Sequence, residues 1–209
     1  MYRLYYAPGA ANMAPHAVLE EVGAPYKLVL VDIDKGRQFD PDYLKLNPNA
    51  RVPTLVDGDL VMYEAAAILL HLCERHPQAM LTPAPGEHDR PAFLQWLVYF
   101  TNTVQECLMQ WWHPDNYLTD PAMQRALKDS AETRLDRMWA QIDGALGPYL
   151  LGRRFSAADL YLYMLVRWSR QMARPGWAHP NIGHLVRLVG ERPAMQRTLR
   201  SEGLEPFGA

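Results

Sequence analysis

Apolar positions recur along this chain in two different rhythms, and the change falls near residue 77. Before it, residues 3–6 and 26–32 read as strands on either side of a helix whose apolar positions Pro15, Val18, Leu19 and Val22 keep helical spacing. A right-handed crossover makes those two strands parallel in one sheet. After an irregular stretch at 40–46, residues 53–56 and 60–63 predict a hairpin turned by Asp57-Gly58-Asp59. Ala65, Ile68, Leu69 and Leu72 line one face of the helix that follows. Pro77, Pro83, Pro85 and Gly86 then interrupt every pattern, which is the composition of a linker.

Beyond the linker the pattern predicts helices alone. Phe93, Trp96, Leu97, Phe100, Val104, Cys107, Leu108 and Trp111 form a stripe at spacings of three and four, and Leu127, Ala131, Leu135, Met138, Ile142 and Leu146 form a second. Two long helices close in sequence predict an antiparallel pair in a bundle. Asp159 interrupts the otherwise apolar and aromatic run from Ala157 to Val166, so that helix is expected at the centre of its domain, buried on all sides. Ser156 with Asp159 three positions on reads as a capping box, and Phe155 as a hydrophobic staple. The expected organisation is a mixed-sheet domain at 1–76, a linker at 77–88 and an all-helical domain at 89–209.

Composition removes several function classes. At 209 residues and 49% apolar content the chain is long enough for one large core or two small ones. A formal net charge of -2 without runs of like charge argues against nucleic acid or an anionic membrane as partner. The start, Met1-Tyr2-Arg3-Leu4-Tyr5-Tyr6, does not read as a signal peptide, and no apolar run approaches the ~20 residues of a membrane span, so a cytoplasmic protein is expected. Cys73 and Cys107 each sit inside a helical pattern, which gives little support to a disulfide framework or a cysteine-based zinc site. His71 and His76 are five apart, so a helical metal pair is not expected either.

Candidate chemistry concentrates in Asn47-Pro48-Asn49-Ala50-Arg51-Val52-Pro53-Thr54-Leu55 and the following Tyr63-Glu64-Ala65-Ala66-Ala67-Ile68. Pro53 has no N–H for a ladder, so a strand opening there is either at a sheet edge or leaves Val52 free for another partner, and an extended peptide would exchange main-chain hydrogen bonds with it. The next helix start offers N–H groups and a positive dipole end to a carboxylate. A turn into a strand followed by an ordinary helix cap explains the same residues without a ligand.

These pieces, together with Tyr5-Tyr6-Ala7-Pro8-Gly9-Ala10 leading to Ala14-Pro15-His16, and with Phe155-Ser156-Ala157-Ala158-Asp159, resemble the glutathione transferase family over residues 2 to about 203. The resemblance implies an α/β thioredoxin-like N-terminal domain plus an all-α helical-bundle C-terminal domain, usually a homodimer with its active site in the cleft between domains. It implies glutathione as co-substrate, a cis Pro53, and a Val52 backbone paired with the cysteinyl part of that tripeptide. Glu64 would meet the ligand's amino group, or simply complement a helix dipole. Ala65 stands where the family usually has a Ser that helps hold the γ-glutamyl carboxylate; it keeps the backbone N–H and loses the hydroxyl.

Glutathione chemistry needs a thiolate, and a free thiol with a pKa near ~8.5 is mostly protonated at neutral pH. Bacterial relatives of this type commonly have Cys then Ser where this chain has Ala11 and Asn12, so mixed-disulfide chemistry is not expected. Asn12 is either the cap of the first helix or an amide donor to the sulfur, and Tyr5 is the rival donor or a half-buried strand residue. Trp112 and Tyr117 are the expected aromatic wall for a small apolar electrophile, with Trp111 assigned to the core, His16 to a structural role, and no metal. The expected activity is conjugation of glutathione to small hydrophobic electrophiles. The alternatives are a glutathione- or ligand-binding protein with little turnover, and a glutathione-dependent isomerase or dehalogenase.

Overall fold

The computed structural model describes residues 1–207. Strand β1 (Tyr2–Tyr6) leads through helix α1 (Met13–Val22) to β2 (Tyr26–Leu30), and the register Tyr2↔Tyr26 to Tyr6↔Leu30 is parallel, as the crossover requires. Two short 3-10 turns, Ile33–Lys35 and Arg37–Phe39, precede the irregular stretch, and the four-residue α2 (Pro41–Leu44) lies within it. The hairpin β3 (Thr54–Asp57) and β4 (Leu60–Tyr63) then completes a sheet of order β2-β1-β3-β4, with β3 antiparallel to both neighbours. Gly58, at φ +61°, supplies the left-handed residue that this tight turn needs. Helix α3 (Ala65–Arg75) follows, burying Ala65, Ile68, Leu69, Leu72 and Cys73.

Side chains alternate across the sheet, and this separates two environments. Leu4 and Leu55, a cross-strand pair, are wholly buried on one face. Tyr5 and Thr54 are the next pair and stand on the other, where the Tyr5 ring meets Tyr43 of α2 at 5.7 Å.

In the helical region, α4 (Arg90–Tyr99) and α5 (Glu106–Trp112) continue one another through a six-residue π-helical stretch, Phe100–Gln105. The apolar stripe was legible as one helix, whereas the π turns were not, because they depend on what Phe100 and Thr101 contact. Phe100 stacks on Trp96 and on Tyr161, and Thr101 Oγ1 donates back to the Leu97 and Val98 carbonyls. Helix α6 (Pro121–Ala145) is capped by Asp120, whose carboxylate accepts the Ala122 and Met123 N–H groups. Its buried positions are Ala131, Leu135, Trp139 and Ile142, so Trp139 rather than the expected Met138 fills the core.

Helix α7 (Ala157–Trp168) is buried at every position except Arg167. Its capping box is formed: Asp159 accepts from Ser156 N–H at 2.7 Å and Ser156 Oγ at 3.1 Å, and its other oxygen takes Leu150 N–H at 2.8 Å. Phe155 meets the Tyr149 ring edge-on at 5.4 Å. Burial outweighs these hydrogen bonds and pushes the Asp159 carboxyl up to about 6.

Helices α8 (Pro180–Gly190) and α9 (Pro193–Glu202) end the described fold. Contacts divide the chain into Met1–Thr82 together with the residues from Gly190 on, and Pro83–Val189. The 77–88 stretch spans the boundary between these units, and α9 packs on α1. α9 buries Ala194, Met195, Thr198 and Leu199, and ion pairs add to the attachment. Arg192 pairs with Glu21 and Arg197 with Glu20, contacts to which hydrophobic periodicity is blind. No helix among the described residues is long and apolar enough to cross a membrane.

Candidate functional site

Strand register brings three segments to one end of the sheet. Tyr5 pairs with Thr54 and Thr54 with Tyr63, so the loop leaving β1, the Val52-Pro53 peptide entering β3 and Glu64 leaving β4 are neighbours. The Val52-Pro53 bond is cis. Val52 is half-buried and lies outside the ladder, whose first β3 residue is Thr54. Behind it, Tyr43 donates its hydroxyl to the Arg51 carbonyl at 2.6 Å, and Asn47 Nδ2 donates to the same oxygen at 2.8 Å. Burial raises the Tyr43 phenol above its ordinary range, which keeps it a donor. Tyr43 and Asn47 were missed as site residues. Only the Asn-Pro turn hinted at Asn47, and nothing in the sequence aims Tyr43 at a carbonyl eight residues on.

Glu64 is exposed and has φ 71° and ψ 110°, outside the regions a side chain favours. This bend starts α3 directly beside Pro53. No side chain caps α3, so its first-turn N–H groups at Ala65, Ala66 and Ala67 are not taken up by a cap. Ala65 is buried and Ala67 exposed.

Asn12 departs from the expected cap. It has helical dihedrals and no capping hydrogen bond, so it is not the cap of α1. Its side chain is enclosed at 0% exposure: Oδ1 accepts the Ala7 N–H at 3.0 Å, and Nδ2 donates to Glu202 at 3.0 Å. The neighbouring Ala11 keeps 8% exposure. His16 is equally enclosed, joined through Nδ1 to Glu202 at 2.7 Å and through Nε2 to the Tyr26 hydroxyl at 2.9 Å, which agrees with a structural role. Tyr5 is half-buried on the opposite sheet face. With Val29, Leu30, Asp32, Arg37 and Tyr43 it lines a cavity of about 460 Å³.

In the helical unit, Trp112 is half-buried, with Nε1 on the Trp168 carbonyl at 2.8 Å and the Arg170 guanidinium 4.8 Å from its ring. Tyr117 is 42% exposed, and its hydroxyl reaches Glu106 at 2.7 Å. Trp111 belongs to the core, as its place in the stripe requires. A cavity of about 480 Å³ in this unit is lined by Asp129, Glu132, Asp136 and Arg174 among others, without Trp112 or Tyr117. Both cysteines are buried, and neither forms a disulfide among the described residues. Among the described residues no group of three or more His, Cys, Asp or Glu side chains is arranged to hold a metal.

Residues 1–74 match the family "Glutathione S-transferase, N-terminal domain", and residues 105–192 match "Glutathione S-transferase, C-terminal domain". The chain is similar to glutathione S-transferase GstA of Escherichia coli, 28% identical over 97% of this chain and 100% of the relative. Among solved structures it is similar to the ternary complex of BphK, a bacterial glutathione S-transferase, at 31% identity with a TM-score of 0.85, covering 97% of this chain and 100% of the other. A sphingomonad glutathione S-transferase complexed with glutathione is 30% identical, with a TM-score of 0.83 and the same two coverages.

Proposed function

The chain belongs to the glutathione S-transferase family, and on that premise we propose that it joins the thiolate of glutathione to small apolar electrophiles. The observation that carries this reading is the meeting of Val52-Pro53, Glu64 and the β1–α1 loop at one end of the sheet. An extended tripeptide laid along Val52 exchanges main-chain hydrogen bonds with it, while the uncapped α3 receives the γ-glutamyl carboxylate and Glu64 the amino group. Ala65 gives its N–H but no hydroxyl, which costs ~0.5 to 1.5 kcal/mol of affinity against a serine there.

The sulfur then lies by the opening of α1, where the partial positive charge of the helix and main-chain N–H groups favour the anion. Because the Asn12 amide is committed to Ala7 and Glu202, we assign the direct contact to the Ala11 N–H and give Asn12 the task of shaping the loop. Tyr5 is the side-chain alternative. Holding thiolate and electrophile together supplies much of the acceleration, and the thiol proton leaves to solvent. Trp112 and Tyr117 are the proposed aromatic contacts for the electrophile.

A homodimer is expected from the family. The exposed apolar strips at Leu60, Val61 and Tyr63, and at Leu94 and Val98, support it. Conjugation of glutathione to 1-chloro-2,4-dinitrobenzene, measured beside calorimetric glutathione binding, tests the function. Saturable turnover is the expected result. Binding without turnover would make the protein a carrier, and no binding would end the reading.

A further inference from the structure

Glu202, the last residue of α9, is 4% exposed and gives its carboxylate three donors on the far side of the chain. Oε2 accepts the Gly9 N–H at 2.8 Å, and Oε1 accepts from Asn12 Nδ2 at 3.0 Å and from His16 Nδ1 at 2.7 Å. A carboxylate so enclosed is tolerated only when its oxygens are satisfied, and loss of the partners on either side is costly. The network runs on. Tyr26 hydrogen-bonds His16 and donates to Glu20, and Glu20 pairs with Arg197 one helical turn and a half back along α9. His16, Tyr26, Glu20 and Arg197 are thus the titratable and charged groups gathered around Glu202 from α1, β2 and α9. Although burial raises the Glu20 carboxyl, the hydrogen bonds from Tyr26 and Arg197 outweigh it and hold the group low, so this end of the network is charged at neutral pH.

The Ala7–Asn12 loop lies outside the sheet ladder. Ala10 N–H reaches the Ala7 carbonyl and Met13 N–H the Ala10 carbonyl, which are local turns. Gly9 N–H and Asn12 Nδ2 tie the loop to Glu202, and Ala7 N–H bonds the Asn12 side chain within it. Just beyond, Leu204 lies over Gly9, a residue at φ +71° that only glycine adopts at low cost. The end of α9 therefore grips the loop from which the Ala11 N–H is offered.

From this geometry we infer that Glu202 is a positioning residue for thiol activation: it fixes the Pro8–Asn12 loop so that main-chain donors at the opening of α1 face the glutathione sulfur. The inference rests on the function proposed above. It also gives the carboxy-terminal helix a part in the chemistry of the sheet unit.

The test compares wild type with Glu202→Gln, which has the same shape but one fewer acceptor and no charge. Two quantities are read: the pH profile of 1-chloro-2,4-dinitrobenzene conjugation, and the titration of the bound thiol by its ultraviolet absorbance. Misaligned donors are expected to raise the apparent thiol pKa by about one unit, so conjugation falls about tenfold near pH ~6.5 and returns to within about twofold of wild type near pH ~9, where the thiol ionises unaided. A deficit equal at both pH values would show a merely structural residue. An unchanged profile, or a lowered thiol pKa, would also overturn the inference. Where Glu202→Gln does not fold, Glu202→Asp, which keeps the charge but withdraws it by a methylene, is read in the same way, and failure of both to fold makes Glu202 a folding residue only. A wild type that neither binds nor conjugates glutathione fails before any variant is compared, and sinks the functional reading and this inference together.

Discussion

Glu64 is where local preference and proposed function conflict most openly. A glutamate at φ 71° and ψ 110° costs on the order of 1–3 kcal/mol, and the structure holds it there between β4 and α3. If that bend exists to carry a carboxylate and the α3 N–H groups to the ligand, Glu64→Gly should raise the unfolding free energy by about 1 kcal/mol while weakening glutathione binding. Urea melts and calorimetry read the two effects separately, and unchanged affinity would remove Glu64 from the site. The sequence led to Val52, Pro53, Glu64 and Ala65 because their chemistry is local: a missing N–H, a helix start, a missing hydroxyl. It misread Asn12 as a cap because that side chain's partner lies 190 positions away. Asparagine at a helix start reads as a cap on local rules, and only tertiary packing could place Glu202 within reach of it.

Among the elements, α7 was the most legible. Its Ser-x-x-Asp start and apolar run specify a capped, central helix, and this is what forms. Its weak point is electrostatic. Burial raises the Asp159 carboxyl to about 6 from an ordinary value near 3.8, so between those values the folded state holds a proton that the unfolded state has released. Asp159 thus favours folding most below about pH 4, and that contribution is lost as the pH rises through about 6. Asp159→Asn leaves donors of Ser156 and Leu150 poorly matched and should destabilise by about 1–3 kcal/mol, with a larger difference from wild type at pH ~4.5 than at pH ~8. Denaturant melts at the two pH values check this, and a difference that grows with pH would refute the assignment. The π-helical stretch between α4 and α5 shows the opposite case: its apolar spacing is indistinguishable from an α-helix until Phe100 is stacked between Trp96 and Tyr161.

At the scale of the molecule, α9 groups with the sheet unit. Helix α9 has a polar composition, and it joins α1 through Arg192–Glu21, Arg197–Glu20 and the Glu202 network. A chain ending at Glu191 retains all four strands but leaves Asn12 and His16 without their carboxylate. It should lose glutathione binding, and its sheet unit should become sensitive to limited proteolysis. Normal binding by that truncated chain would show α9 to be dispensable. Sequence alone determined the mixed sheet followed by helices, the family, and the stretches proposed for a peptide site, because periodicity, proline and helix starts act over a few neighbouring residues. Tertiary structure alone decided which atoms of those stretches are spent inside the protein and which are left to face a ligand, because a hydrogen bond between residues 12 and 202 is fixed by packing and leaves no pattern along the chain.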